Sequence, residues 1–490
     1  MAQARSSVPE AFDGGGRVLS AVGNAWRVPP RWFHTISPID GTPLAELPSL
    51  DLNHATEAVD VAASERTAWA SRRSNEREAL IARGVAALSR HRDLLVRLLA
   101  WEIGKTIPTA SNDVDRCIAS ITWYLENAGP MLEGRRPLGL VSNLASWNYP
   151  FSVLLANMLV QMLAGNAVIA KIPTLGGGLS LSVAVALLRR EGLPVTLVGG
   201  RGPDLTEALV GHPAIAAVGF VGGRTNGAAV AERLRTSGKR YALEMEGVNA
   251  YAVTEFSDWK GLEKQIRAGF DYGKQRCTAY TRWVVEASLL PRFIETYVTA
   301  ASSLRVGHPF LGNPIDYGPL ISSAKVEELW GRIDTAIQYG ATVLYEGTSF
   351  DEDFEPGQDR SAYFMPVLLT GVRASADLYG REPFGPVDVL VAAHSESELV
   401  REANVSNGAL VASVATDDPN YGAKIASRLD AFKVGVNRLR SRGDKDEVFG
   451  GTGKSWAGAF VGGSNVVYAF TDGERPPPGN WPGGWRGPGR

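Results

Sequence analysis

Between Leu138 and Met245 the chain reads LGLVSNL (138–144), AVIAK (167–171), PVTLV (194–198), IAAVGFV (215–221) and RYALEM (240–245), with helical segments in between. Short β-rich runs that alternate with helices need crossover connections, and these give a parallel sheet covered on both faces. FMPVLLT (364–370), VDVLVAA (387–393), LVASVAT (410–416) and KVGVN (433–437) repeat the rhythm. The chain is therefore read as two α/β domains. On the N-terminal side, Asn75 and Glu78 read as a capping box. Leu80, Ile81, Val85, Leu88, Leu95, Leu98 and Leu99 then keep a helical period to about Gly104. A second helix is expected from about Pro108 to Asn127. The Gly/Ser-rich residues 1–16 are expected to be loose, as is the Pro/Gly-rich stretch 473–490, where Trp481 and Trp485 offer a docking alternative.

Composition narrows the classes. Fifty Lys+Arg against 52 Asp+Glu give a net charge of −2, so no basic excess points to nucleic acid. Two cysteines, Cys117 and Cys277, build neither a disulfide framework nor a Cys-rich zinc site, which fits a reducing cytoplasm. The apolar stretch from Val153 is broken by Asn157, Gln161 and Asn166, so no membrane span is expected. No signal peptide is expected from the N-terminal residues. The histidines carry no HExxH or HxH motif, so no metal site is expected.

Three places could carry chemistry. Cys277 lies in GKQRCTAYTRW among polar neighbours, where Arg276 would favour a thiolate. Cys117 sits in a helix and reads as structural. Gly222-Gly223 end a strand and Gly227 opens the following helix, a geometry open to phosphate although it is neither G-x-G-x-x-G nor a P-loop. Glu244 and Glu246 share a face of an extended strand, and a carboxylate there suits general-base work. Taken alone, each place has a plain reading: a buried thiol, a tight turn, a solvated strand end.

In order and spacing these pieces resemble the aldehyde dehydrogenase superfamily over roughly residues 33–472. SPIDGTPLAELP (37–48) is similar to its N-terminal hairpin, SWNYP (146–150) to its Pro-Trp-Asn-Phe-Pro segment, and Ala170 to Thr174 to its Lys-Pro-Ser-Glu segment. GFVGGRTNG, LEMEG, GKQRC, REPFGPV and FGGTGKS resemble, in turn, its cofactor turn, base strand, nucleophile loop and two later segments. The resemblance implies a Rossmann-type cofactor domain (17–122 and 138–245) and an α/β catalytic domain (246–462). It also implies a small oligomerisation arm (123–137 and 463–472), with 123–137 a protruding hairpin and about Asn465 to Phe470 an edge strand. A homodimer or homotetramer follows.

It further implies NAD(P)-dependent oxidation of an aldehyde to a carboxylate. Cys277 would be the nucleophile, Asn148 would stabilise the oxyanion with the Cys277 N–H, and Glu244 would be the base. Trp147, Lys171, Thr174, Gly222, Gly227, Met245, Glu382 and Phe384 would bind NAD or NADP, and Arg276 and Thr278 would face the substrate. Thr174 replaces a glutamate that repels a 2′-phosphate, so NADP should be accepted. Arg276 with Arg438, Arg440 and Arg442 suggests an aldehyde with a distal anion, unless these arginines face solvent or pair with Asp444 and Asp446. Glu246, Val248, Gly223, Ser146, Lys274 and Gly453 depart from the family pattern. The competing readings are a CoA-acylating dehydrogenase, an inactive cofactor-binding or structural homologue, and a Cys-His hydrolase.

Overall fold

The computed structural model describes residues 1–406, 408–474 and 477–481. The β-rich runs of the first half form the middle of a nine-stranded sheet. Its five parallel strands lie in the order Val195–Val198, Ala167–Lys171, Leu140–Leu144, Ile215–Gly222, Arg240–Met245. The chain runs outward from Leu140–Leu144 in one direction, then returns and builds in the other. The reversal falls between Leu140–Leu144 and Ile215–Gly222. Ligands of open α/β sheets bind outside the carboxyl ends of the strands at such a switch point. SWNYP, Thr174, Gly222 and Glu244 all lie at those ends.

The second set of runs forms a seven-stranded sheet in the order Thr342–Glu346, Val367–Thr370, Val387–Ala393, Tyr280–Glu286, Asn249–Val253, Ala409–Ala415, Ala431–Val436. All its pairings are parallel except that of the first two strands. Both sheets read as near-continuous apolar runs because helices cover both faces. The expected boundary at 246–462 does not separate the sheets cleanly. Trp456–Ala459 returns to the first sheet and pairs antiparallel with Arg240–Met245, Glu244 opposite Trp456. The hairpin expected in 37–48 forms between Arg31–Ile36 and Pro43–Ser49, so its first strand precedes that stretch.

Several expectations need correction. The helical stretch before Gly104 is two helices, Ser74–Arg90 and Arg92–Ile103, interrupted at His91. No capping box forms at Asn75 and Glu78: the helix begins at Ser74, the Glu76 carboxylate accepts from the Arg73 backbone N–H at 3.1 Å, and Ser74 engages Glu78 at 2.9 Å. Gly104 ends the second helix at φ 71°, a left-handed cap that glycine adopts without a Cβ penalty. The next helix runs Ile107–Leu132, so 123–137 is no hairpin: most of it is helix, and only Arg136–Pro137 pairs, with Thr471–Asp472. The strand expected over about Asn465 to Phe470 is instead mostly the helix Ser464–Ala469, with Val466, Val467 and Ala469 buried.

The ends are ordered where described. Ala2–Ser7 is helical, and Ala4, Val8 and Ala11 are buried in the main core. Gly479–Asn480 adds an edge strand to Trp456–Ala459, and the Trp481 ring meets Tyr241 edge-on at 5.1 Å. Trp485 lies outside the described residues. Val8 is 0% exposed, so Val8→Asp buries a charge in an apolar site. A loss of at least about 2 kcal/mol is expected, and urea unfolding beside wild type measures it.

Candidate active site

Cys277 follows a loop that local propensity alone would not produce. Tyr272, Gly273 and Lys274 have φ of 56°, 57° and 58°, a region where side chains other than glycine are strained. Buried anchors hold the loop there. The Tyr272 hydroxyl donates to the Ile103 carbonyl at 2.8 Å. Lys274 Nζ, fully buried, meets both Asp388 oxygens at 2.6 and 2.7 Å and the Tyr280 carbonyl at 2.7 Å. The Tyr297 hydroxyl donates to Asp388 at 2.6 Å. Gln275, also buried, accepts from the Ile321 N–H at 2.9 Å. Burial lowers the Lys274 pKa and the Asp388 charge opposes this.

A turn closed by the Ala279 N–H on the Arg276 carbonyl at 3.0 Å then places Cys277 and Thr278 at its corner, both part-buried. Asn249 clamps this turn, donating to the Cys277 and Ala279 carbonyls at 2.8 and 2.9 Å. Asn148 reaches the loop from the first sheet: its Nδ2 donates to the Gln275 carbonyl at 2.9 Å, and Ser146 bonds its Oδ1. An amide nitrogen has two hydrogens. One is spent holding the loop, which leaves a second N–H to donate.

Glu244, one residue before the end of Arg240–Met245, is 2% exposed. Arg442 Nη2 lies 2.5 Å from its Oε2, while Oε1 is buried with no hydrogen-bond partner. Burial pushes the Cys277 pKa well above its usual value; the Glu244 carboxylate adds to the rise and Arg442 opposes it. Arg276 does not serve the thiol as expected. It turns back to Asp271 at 3.3 Å and to the Gly269 carbonyl at 3.1 Å. Glu246 lies past the end of the strand, 3.6 Å from Arg381, and its charge acts on Glu382.

Beside this centre a groove of about 700 Å³ runs along the carboxyl ends of the first sheet. Trp147, Lys171, Thr174, Gly222 and Gly223 line it, as the sequence suggests. Arg201, missed in the sequence, lines it too. Gly223 caps the eleven-residue helix Arg224–Leu234, which starts one turn earlier than expected. A helix N-terminus of this kind favours an anion. Burial lowers Lys171 to about 8.

Gly227 and Met245 do not line the groove. They pack on each other behind it: a Cβ on Gly227 would come within 2.3 Å of the Met245 side chain, so glycine there serves helix–strand packing. Phe384 meets Trp147 edge-on at 5.8 Å. Glu382 is buried with both carboxylate oxygens unpartnered, and its pKa is raised well above the usual range, by burial first and then by the Glu246 charge. Asn249, Asp388 and Arg201 are the residues that sequence reasoning missed. The visible signals were a polar residue opening an apolar strand, an acid inside VDVLVAA, and an arginine just past a strand end. Among the described residues no His/Cys/Asp/Glu cluster suits a metal, and no helix is long and apolar enough to cross a membrane.

A family model described as "Aldehyde dehydrogenase family" matches residues 27–473. Among solved structures the chain is similar to NADP-dependent glyceraldehyde-3-phosphate dehydrogenase from Bacillus halodurans C-125 complexed with NADP. The identity is 25%, the TM-score 0.83, and the match covers 93% of this chain and 98% of that one. Betaine aldehyde dehydrogenase from Staphylococcus aureus in complex with NAD+ matches at 20% identity and TM-score 0.86, over 96% of both chains. HpcC from Thermus thermophilus matches at 23% identity and TM-score 0.86, over 96% of this chain and 94% of that one.

The buried Lys274–Asp388 pair gives a direct test of what holds the loop. Asp388→Asn leaves the Lys274 ammonium without its counter-charge. Removing one partner of a buried pair costs about 3–5 kcal/mol. Chemical denaturation should show that loss, and titration of Cys277 with a thiol reagent should show a loosened loop in whatever remains folded.

Proposed function

The chain belongs to the aldehyde dehydrogenase family, and we propose that it oxidises an aldehyde to a carboxylate with NAD(P)+ through a covalent adduct on Cys277. The observation that carries this reading is the unpartnered Glu244 Oε1, whose carboxylate acts on Cys277, close to the groove lined by Trp147 and Gly222. The Cys277 sulfur would attack the carbonyl carbon to form a C–S bond. The second Asn148 N–H and the Cys277 backbone N–H would hold the oxygen as it gains charge.

The groove fits a dinucleotide. Gly222-Gly223 and the helix start suit the pyrophosphate, and the two orphan oxygens of Glu382 suit ribose hydroxyls. When bound, the nicotinamide supplies the hydride acceptor. Water would then attack the Cys277 thioester while Glu244 takes its proton, the C–S bond breaks, and the carboxylate leaves with the thiol restored.

Glu244 favours water over CoA as the acyl acceptor, because a free carboxylate oxygen beside the thioester serves to deprotonate water. The groups acting most strongly on Cys277 are Glu244, Arg442 and Glu382. None of them is a histidine, which weighs against the Cys-His hydrolase. The departures at Glu246, Val248 and Gly223 leave the catalytic pair intact, against the inactive homologue. We infer a homo-oligomer, as the family resemblance implies.

The residues lining the groove include no Asp or Glu. Thr174, with Lys171 and Arg201 beside it, therefore supports use of NADP. The substrate side speaks less strongly for an acidic aldehyde. Arg276, Arg440 and Arg442 already face Asp271, Glu447 and Glu244, not Asp444 and Asp446. Arg438 is exposed. The charge of Arg276, Arg440 and Arg442 is spent within the protein, so neutral aldehydes are expected to turn over as well as acidic ones.

A panel of neutral and acidic aldehydes with both cofactors, read at the reduced-nicotinamide absorbance, tests the reading. Cys277→Ala should give no reduced cofactor. Glu244→Gln should keep the first-turnover burst and lose steady turnover by about 10²-fold or more. NADP+ should match or exceed NAD+ in kcat/KM. Thr174→Glu should lower the NADP+ value by about tenfold or more, because a carboxylate returns beside the 2′-phosphate. Because the Cys277 pKa is raised, the thiolate fraction grows with pH, and kcat/KM should climb from pH ~7 to ~9. A flat profile, or reduced cofactor from the Cys277 variant, would overturn the assignment.

A further inference from the structure

We propose that Arg442 is a positioning residue for the thiol–carboxylate pair: by clamping one Glu244 oxygen it directs the other to the reacting centre and sets the charge that Cys277 faces. This rests on the reading of Glu244 as the base. Among the arginines of the loop before Phe449, Arg438 is exposed and Arg440 is taken by Glu447 at 3.0 Å, while Arg442 reaches inward. Its guanidinium lies 2.5 Å from Glu244 Oε2 and 4.7 Å from the centroid of the buried Phe449 ring.

The backbone behind it is tied down as well. Lys433 Nζ donates to the Arg442 carbonyl at 2.8 Å and pairs with Glu447. An ionised carboxylate has two oxygens that accept from several directions. With Oε2 held by a planar, always-charged guanidinium, the carboxylate loses a rotation and Oε1 keeps one direction.

The charges around the two groups can be named. Glu244, Glu382 and the Tyr149 phenol face Cys277 with negative or potentially negative charge, and Arg442 is the cation that pulls the other way. Around Arg442 itself stand Glu244, the Tyr124 phenol and the Phe449 ring. A cation that held the base and had no effect on the thiol would be hard to place here, since the same carboxylate faces both.

The test uses the full-length protein, with and without NAD(P)+, as Arg442→Met, Arg442→Lys, Glu244→Gln and the Glu244→Gln/Arg442→Met double variant. One readout is the pH dependence of iodoacetamide alkylation at the Cys277 peptide, followed by mass spectrometry. The other is burst size against steady turnover. Arg442→Met should move the alkylation midpoint up by about one pH unit or more. It should lower turnover by about 10²-fold while the burst persists. Arg442→Lys should restore most of the midpoint and less of the turnover, since it returns the charge without the planar fork. A midpoint unchanged in a folded Arg442→Met overturns the inference and leaves Glu244 as base. If that variant fails to fold, the double variant, which leaves no unmatched buried charge, decides: its midpoint must lie above that of Glu244→Gln. Full turnover by Glu244→Gln would overturn the base assignment and the inference together.

Discussion

A buried ammonium held against a buried carboxylate fixes where Cys277 sits. The chain from Tyr272 to Lys274 stays in left-handed backbone space, where each non-glycine residue costs about 1–3 kcal/mol. Such a segment persists only if its surroundings over-determine it. Lys274 supplies that condition: its Nζ is spent on Asp388 and on the Tyr280 carbonyl, and Asp388 is in turn held by Tyr297. The sequence neighbours of Cys277 are thus nailed down three residues before the sulfur. Asn148 and Asn249 then fix the loop at the Gln275 and Cys277 carbonyls, one from each sheet.

The same loop explains why neither sheet could make the site alone. The first sheet brings Asn148, Glu244 and the groove to its carboxyl edge. The second carries Cys277, Lys274 and Asp388. The chain crosses back after the second sheet, and Trp456 pairs opposite Glu244, so the strand that bears Glu244 is braced by a segment that follows the second sheet. Gly408 and Gly458 show how close this crossing is. A Cβ on either would come within 2.2–2.3 Å of a carbonyl oxygen, Thr452 in one case and Tyr241 in the other.

How much of this the sequence revealed depends on the kind of signal. The parallel strands were legible because buried strands are written as apolar, β-branched runs, and every run named from 138 to 245 is a strand. Cys277, Glu244 and Asn148 were named from ordered segments; in the structure Asn148 bonds the loop that carries Cys277, and the Glu244 carboxylate acts on that thiol from its own strand. VVYAF misled because β propensity is a weak, local preference. Gly462 and Gly463, at φ 79° and 51°, turn the chain into a short helix whose Val466 and Val467 are buried in the core. Residues 1–16 misled because their composition looks loose, yet Ala4, Val8 and Ala11 find a core. Arg442 could be named but not assigned, since the shape of its loop depends on Lys433 and Glu447, which sequence spacing does not place.

The charge pattern of the site separates its permanent parts from its receptive one. Arg442 is matched to Glu244, Arg381 to Glu246, and Arg276 to Asp271. Each of these pairs is satisfied, at least in part, by the protein itself. Glu382 differs, because neither of its oxygens has a hydrogen-bond partner although it is buried. A buried carboxylate left unpaired is costly, and its raised pKa records that cost. Hydroxyl donors brought by a ligand would relieve it, and Glu382 sits near Phe384, which touches the Trp147 wall of the groove. Both Glu382 oxygens thus lack a hydrogen-bond partner, whereas Glu244 and Glu246 each face an arginine. A groove with a helix start that favours an anion, and a donor-starved acid near its Trp147 wall, suits a ligand that carries both phosphates and hydroxyls, which is the chemistry of a dinucleotide.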